Sequence, residues 1–258
     1  MALLEVRKLT KRFGGLLAVN NLDFDVNAGE ILGLIGPNGA GKTTVFNLIC
    51  GVYRPTSGQV IFKEKDISRL SADRVAESGM VRTWQQTALF QDYSALQNVL
   101  VGFHLRAKKS FFGSIFHSRA LRDQEVILQQ QAMDILKLME LDTLSSELAK
   151  NLPHGRKRAL GVAVALAVEP KLLLLDEPAT GMTEEEKLTL MGHINRIRER
   201  GITVLVVEHS MRVVMGICDR IVVVSFGSKI ADGLPEEIRE NREVIEAYLG
   251  VEEDVDID

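Results

Sequence analysis

The segment Gly36-Pro37-Asn38-Gly39-Ala40-Gly41-Lys42-Thr43-Thr44 constrains the fold more than any other part of the chain. Its spacing is GxxxxGK[ST]. An apolar run, Ile31 to Ile35, leads in, and a helical stretch, Thr44 to Cys50, leads out. Glycines let a backbone wrap a phosphate chain without side-chain clash. The loop N–H groups and the helix N-terminus then face the anion. In such a loop Lys42 neutralises terminal phosphate oxygens and Thr43 offers a hydroxyl to Mg²⁺. A strand must enter this loop and a helix must leave it, so the chain is read as α/β.

The rest of the pattern agrees. Leu4-Glu5-Val6 and Leu22-Asp23-Phe24-Asp25-Val26 alternate with period two. Val60-Ile61-Phe62 follows the turn Thr56-Ser57-Gly58. Ser71 is placed to cap a short helix ending at Gly79. Beyond Asp92 the pattern turns helical, with Val126, Ala132, Ile135, Leu136, Met139 and Leu141 expected on one face. The stretch Lys108 to Arg122 is basic, with Phe111, Phe112 and Phe116 interleaved. It fits either a surface hairpin packing its own aromatics or a patch facing a partner or a membrane. Alternation of strands and helices then resumes. Lys171 to Leu175 reads as a buried strand. A helix over Glu184 to Arg200 should turn Leu188, Met191, Ile194 and Ile197 inward and stop at Gly201. Ile202 to Val207 and Arg220 to Val224 are further strands, the second preceded by a short helix. The expectation is one split α/β domain: a core over 1–87 and 159–250, a helical insert over 88–158, and an acidic tail over 251–258.

Composition narrows the class. Apolar residues are 46% and charged residues 26% of the 258, ordinary for a globular chain and against a disordered one. Lys and Arg number 31 against 35 Asp and Glu, a net −4, so no basic field announces a nucleic-acid partner. Cys50 and Cys218 lie far apart in apolar surroundings and read as buried thiols in a reducing compartment. The longest apolar run, Ala159 to Val168, is about half of the roughly 20 residues a spanning helix needs. The N-terminus lacks the basic-then-apolar pattern of a signal peptide.

A second element supplies carboxylates. The strand Leu172 to Leu175 ends in Asp176-Glu177. Asp176 suits a Mg²⁺ shell. Glu177, one residue on, is placed to activate a water against a terminal phosphate.

With loop and carboxylates together, the chain resembles the ATP-binding subunit of an ABC transporter over residues 3–250. The resemblance implies a P-loop cassette: an N-terminal antiparallel β part, a RecA-like, mainly parallel core and an inserted α-helical subdomain. It implies that Gln85, in Arg82-Thr83-Trp84-Gln85, meets Mg²⁺ and the attacking water. It implies that His209 touches the γ-phosphate and that Phe13 stacks on adenine. The usual LSGGQ signature, which caps ATP on the opposite subunit, stands here as Leu152-Pro153-His154-Gly155-Arg156. Pro153 removes a hydroxyl and an N–H, while Arg156 adds charge. Thr183 stands where many members carry Asp. The basic run His154 to Arg158 fits either a trans-phosphate contact or a solvated helix start. The phrases Arg82 to Gln85, Val207 to Met211 and Glu246 to Gly250 are similar to LivG-type subunits, which energise branched-chain amino-acid uptake.

That family works as two ATPase subunits, homo- or heterodimeric, with two membrane permeases and, indirectly, an extracytoplasmic solute-binding protein. It acts peripherally at the cytoplasmic face of the membrane. Leu89, Phe90 and Tyr93 are candidates to receive a permease helix, or else they pack internally. The alternatives within the family are importers of urea, amides or other amino acids, and a lipopolysaccharide-type exporter. A non-hydrolysing regulatory subunit is disfavoured by Lys42, Asp176, Glu177 and His209. A ribosome- or DNA-directed ABC ATPase is disfavoured by the single cassette and the acidic balance. A GTPase lacks its Asn-Lys-x-Asp motif here.

Overall fold

The computed structural model describes residues 1–83, 89–107 and 118–249, with the side chains of 104–107 and 118–124 excepted. Period-two alternation builds the N-terminal sheet. Strand β1 (Ala2–Phe13) pairs antiparallel with β2 (Leu16–Asn27). Strand β3 (Ile31–Ile35) belongs elsewhere: its five residues are all buried, which suits a strand covered on both faces. It delivers the phosphate-loop sequence to helix α1 (Lys42–Ile49), which starts two residues earlier than expected. Strands β4 (Ser57–Phe62) and β5 (Lys65–Asp66) complete a four-stranded sheet of order β2-β1-β4-β5.

The short helix α2 (Ala72–Glu77) follows. Ser71 occupies its N-cap position, but its hydroxyl makes no capping bond there, and Gly79 lies just beyond its end at φ +102°. Then come β6 (Met80–Thr83), α3 (Ala95–Ala107), α4 (Ser118–Leu138) and α5 (His154–Leu166). Helix α5 packs against α3 and α4. Strand β7 (Leu172–Asp176), helix α6 (Glu184–Glu199), strand β8 (Thr203–Val207) and helix α7 (Met211–Ile217) return the chain to the core. It ends with β9 (Arg220–Ser225), β10 (Ser228–Gly233), α8 (Pro235–Glu240) and α9 (Arg242–Leu249).

The second sheet has six strands in the order β10-β9-β3-β8-β7-β6. Its neighbours are parallel, except the β9–β10 hairpin. Alternate residues feed two cores. Leu32, Leu34, Leu174, Leu205 and Val222 join Phe46 of α1 and Leu4, Leu22 and Phe62 of the antiparallel sheet. Ile35, Leu173, Leu175, Val206 and Val223 pack on the helical side with Leu160, Ala163, Ile194 and Val214. Helix α1 is thus wedged between two sheets, which fixes where the loop before it can point.

Two inward expectations fail. Leu188 is 51% exposed and Val126 66% exposed. The spine of α6 is Leu190, His193, Ile194 and Ile197, and Leu188 lies two residues, about 200°, off that stripe. In α4 the stripe Ala132, Ile135 and Leu136, continued by Met139 just past the helix, extends back to Leu128 rather than Val126. A histidine takes a core place that apolar counting assigned elsewhere. The basic-aromatic segment from 108 to 117 and the acidic tail lie outside the described residues. Cys50 and Cys218 are free and buried, and burial pushes both thiols up to about 12.

Candidate nucleotide-binding site

The loop between β3 and α1 is stitched shut by its own groups. Lys42 Nζ donates to the Gly36 carbonyl at 2.6 Å and the Pro37 carbonyl at 2.9 Å. Burial lowers the Lys42 pKa, and the nearby Glu177 carboxylate partly opposes that. The loop is also tied to the β9–β10 turn: Gly227 N–H donates to Ala40 O at 3.0 Å, and Asn20 N–H to Gly227 O at 2.8 Å. Two glycines are needed here. A Cβ on Gly36 would lie 2.0 Å from Val224 O; one on Gly41, at φ +99°, would lie 2.5 Å from Ala18 O.

A cavity of 400 Å³ opens over this loop, lined by Leu16 to Ala18, Asn38 to Thr44, Glu177, Phe226 and Gly227. Asn38, Gly39 and Thr43 are exposed, whereas Gly36, Pro37, Ala40 and Lys42 are buried beneath them. The structure therefore brings Asn38 to Thr44 and Glu177 to one cleft, with Gly36, Pro37 and Asp176 outside its lining. Phe226, 87% exposed, and Leu16, 67% exposed, form an apolar rim that sequence reading missed. An exposed Phe beside a glycine turn carries no periodic signal that could have marked it.

Asp176 closes β7 and is 4% exposed. One carboxylate oxygen pairs with Arg82; the other, Oδ1, is buried with no hydrogen-bond partner. Arg82 also donates to Asn47 Oδ1 at 2.7 Å and lies 5.6 Å from the Phe46 ring. A buried carboxylate oxygen with spare acceptor capacity is what a hard cation takes as a ligand. Among the described residues no three His, Cys, Asp or Glu side chains cluster, so a cation here must draw other ligands from hydroxyl, phosphate or water oxygens.

Glu177 has φ +46°, uncommon for a non-glycine residue. Its carboxylate accepts a 3.3 Å bond from the Thr180 hydroxyl. His209, at the end of β8, has a side chain 58% exposed and does not line the cavity. Phe13 is 41% exposed at the β1–β2 turn, edge-on to Tyr53 at 5.4 Å with Lys11 Nζ 4.9 Å from its ring centroid. It too lies outside the cavity lining. Gln85 lies outside the described residues.

The signature segment is elsewhere. Pro153 is the N-cap of α5, and the first intrahelical bond runs from Lys157 N–H to Pro153 O at 2.9 Å. The N–H groups of His154, Gly155 and Arg156 therefore have no partner within the helix, and Pro153 and His154 are exposed. Arg156 donates to the Glu140 carbonyl at 2.9 Å, so its guanidinium is engaged with the chain beyond α4. Thr183 caps α6 in a full capping box with Glu186. The Thr183 hydroxyl therefore serves as the helix cap, a role Asp can also fill. Phe90 and Tyr93 are 51% and 45% exposed and stack at 5.1 Å. Buried Asn98 holds them there, accepting from Phe90 N–H at 2.9 Å and donating to the Phe90 and Tyr93 carbonyls. Leu89 is partly buried against the helical core.

Residues 19–180 match the family model for the ABC transporter, and residues 228–254 match that for the branched-chain amino acid ATP-binding cassette transporter. The chain belongs to the ABC transporter family of ATP-binding, ATP-hydrolysing subunits. The high-affinity branched-chain amino acid transport ATP-binding protein BraF of Pseudomonas aeruginosa is 41% identical, over 96% of this chain and 98% of its own. LivG of Salmonella typhimurium, of the same description, is 42% identical over the same shares. The lipopolysaccharide export system ATP-binding protein LptB of Escherichia coli is 32% identical over 97% of this chain and 98% of its own. Among solved structures, the ADP conformation of the ABC transporter cassette MJ1267 superposes with a TM-score of 0.84 at 27% identity, covering 97% of this chain and 99% of that one. A nucleotide-free ABC transporter cassette gives 0.81 at 27% identity, covering 96% and 98%. The family fold accounts for the two sheets, the helical layer and the position of the cleft. Among the described residues of this cassette, no helix is long and apolar enough to cross a membrane.

Proposed function

We propose that this ABC cassette energises an importer of branched-chain amino acids. The observation that carries the reading is the whole-length similarity to BraF and LivG, reinforced by the C-terminal match over 228–254. The weaker similarity to LptB keeps an exporter as the second reading.

ATP is the substrate. Its phosphates lie along the loop Gly36 to Thr44, against backbone N–H groups of the residues that carry a free one, with Lys42 neutralising the terminal oxygens. Thr43 and Asp176 would hold Mg²⁺, together with Gln85; Asp176 Oδ1 is the acceptor left for it. The cation supplies charge neutralisation across the transferred phosphate oxygens. Glu177 lines the same cleft and orients and deprotonates the attacking water. His209 donates to the γ-phosphate, and Phe13 stacks on adenine. Pro153 to Arg156 offer the open N-terminus of α5 to nucleotide held by a second ATPase subunit. Residues 88–158 form the helical subdomain, and the Phe90–Tyr93 stack beside Leu89 receives a permease helix. Two permeases and an extracytoplasmic solute-binding protein complete the assembly, with this chain peripheral on the cytoplasmic face and no nucleic acid involved.

Deleting the chain from its own cell should abolish high-affinity uptake of labelled leucine, restored by the wild-type chain and not by Glu177→Gln. Purified Glu177→Gln should double its mass by light scattering on adding Mg-ATP if the pair is a homodimer. Leucine uptake that survives deletion refutes the solute assignment. Hydrolysis by Glu177→Gln at the wild-type rate refutes the base.

A further inference from the structure

Glu177 depends on two side chains that never reach the cleft. Four residues after the open start of α5, Arg158 Nη1 donates to the Glu177 carbonyl at 2.8 Å and approaches the Pro178 carbonyl at 3.4 Å. The next N–H, of Ala179, donates to Glu208 Oε1 at 2.5 Å. The other oxygen of Glu208 accepts from His209 N–H at 3.1 Å and Ser210 N–H at 3.2 Å. Glu177 N–H itself donates to Val207 O at 2.9 Å. The stretch Glu177-Pro178-Ala179 is thereby held between α5 on one side and the end of β8 on the other.

Two features mark this as more than packing. Glu208 is 0% exposed, and a carboxylate removed from water so completely persists only when hydrogen-bonded; here three backbone N–H groups from two separate loops satisfy it. Glu177 sits at φ +46°, a left-handed conformation that survives only where surrounding structure over-determines it. Arg158 on its carbonyl and Val207 on its N–H are those determinants.

We propose that Arg158 and Glu208 are positioning residues forming a relay, which sets Glu177 and His209 relative to each other and makes both follow displacements of α5. Helix α5 presents the segment offered to the opposite nucleotide, so the relay couples engagement of one ATP site to assembly of the other. Neither side chain touches substrate. The inference rests on the reading of Glu177 as base and His209 as phosphate contact.

The test uses the full chain and steady-state ATP hydrolysis with Arg158→Met, Glu208→Gln, their double variant, Arg158→Lys and Glu208→Asp. Each of the first two should lower kcat on the order of 10–100-fold, as a misplacement of reacting groups by about 1 Å does. KM for ATP should stay within about 3-fold, because the phosphate loop is untouched. The double variant should fall no further than the worse single one, since both act through one backbone segment. Arg158→Lys, which keeps one donor, should recover part of kcat. Effects that multiply, or a change in KM with kcat intact, overturn the relay. If Glu208→Gln does not fold by circular dichroism, the same cycle is run with Glu208→Asp. Glu177→Gln is assayed alongside. If it is inactive while the relay variants match wild type, the relay alone fails; if it is active, the reading of the base fails.

Discussion

Arg82 and Asp176 are a buried ion pair, with side chains 7% and 2% exposed, between the adjacent strands β6 and β7. Replacing Arg82 by Met keeps the stem's bulk and leaves Asp176 without its cation. Breaking one partner of a buried pair typically costs about 3–5 kcal/mol, because the remaining charge is uncompensated. The lost bond to Asn47 Oδ1 adds about 1 kcal/mol. At roughly 2–4 °C per kcal/mol for a chain of this size, the midpoint should fall by about 8–24 °C. The assay is urea and thermal unfolding in EDTA without nucleotide, so that no ligand restores charge balance at Asp176. The second arm removes both charges: Arg82→Met with Asp176→Leu should recover most of the lost stability, since an apolar pair is often no worse than a buried ionic one. A single-variant loss below about 1 kcal/mol, or a double variant no better than the single, refutes the claim that the pair is held by mutual compensation.

Two further outcomes follow from the same structure. Gly41→Ala forces a Cβ to within 2.5 Å of Ala18 O at φ +99°, so it should weaken nucleotide binding at least about 10-fold, read by fluorescent-ATP titration; near-wild-type affinity would show that the loop has another way to close. His193, in the α6 spine, has its pKa lowered from 6.5 by burial, with Glu140 raising it and Arg196 and Arg156 lowering it further. In the window between 6.5 and the lower folded value the unfolded chain binds more protons, so stability should fall as pH drops through it. That slope should flatten in His193→Gln in urea titrations across this window, and an unchanged slope would assign the acid sensitivity elsewhere.

What could be read directly from the chain was whatever is settled by near neighbours in sequence. The loop Gly36 to Thr44 is a matter of spacing, because only small residues at fixed offsets let consecutive N–H groups converge on one anion. The buried strands Ile31 to Ile35 and Leu172 to Leu175 announced themselves as unbroken apolar runs, and an α/β architecture with an antiparallel N-terminal part followed. Sequence placed Asp176 and Glu177 at a strand end but could not say which cation stands beside Asp176. Arg82 lies 94 residues away, and the two meet only because β6 is laid next to β7. It singled out His209 and passed over Glu208, since a lone Glu gives no pattern until three N–H groups from two loops are folded around it. Helical counting put Leu188 inside and could not anticipate His193, because the direction of the α6 stripe is set by the helices packed on it. Local backbone chemistry is encoded in a few adjacent residues. Charge partners, helix phase and the apolar rim of the cleft depend on strand order and layer packing, and these are settled only when the whole sheet closes over both its cores.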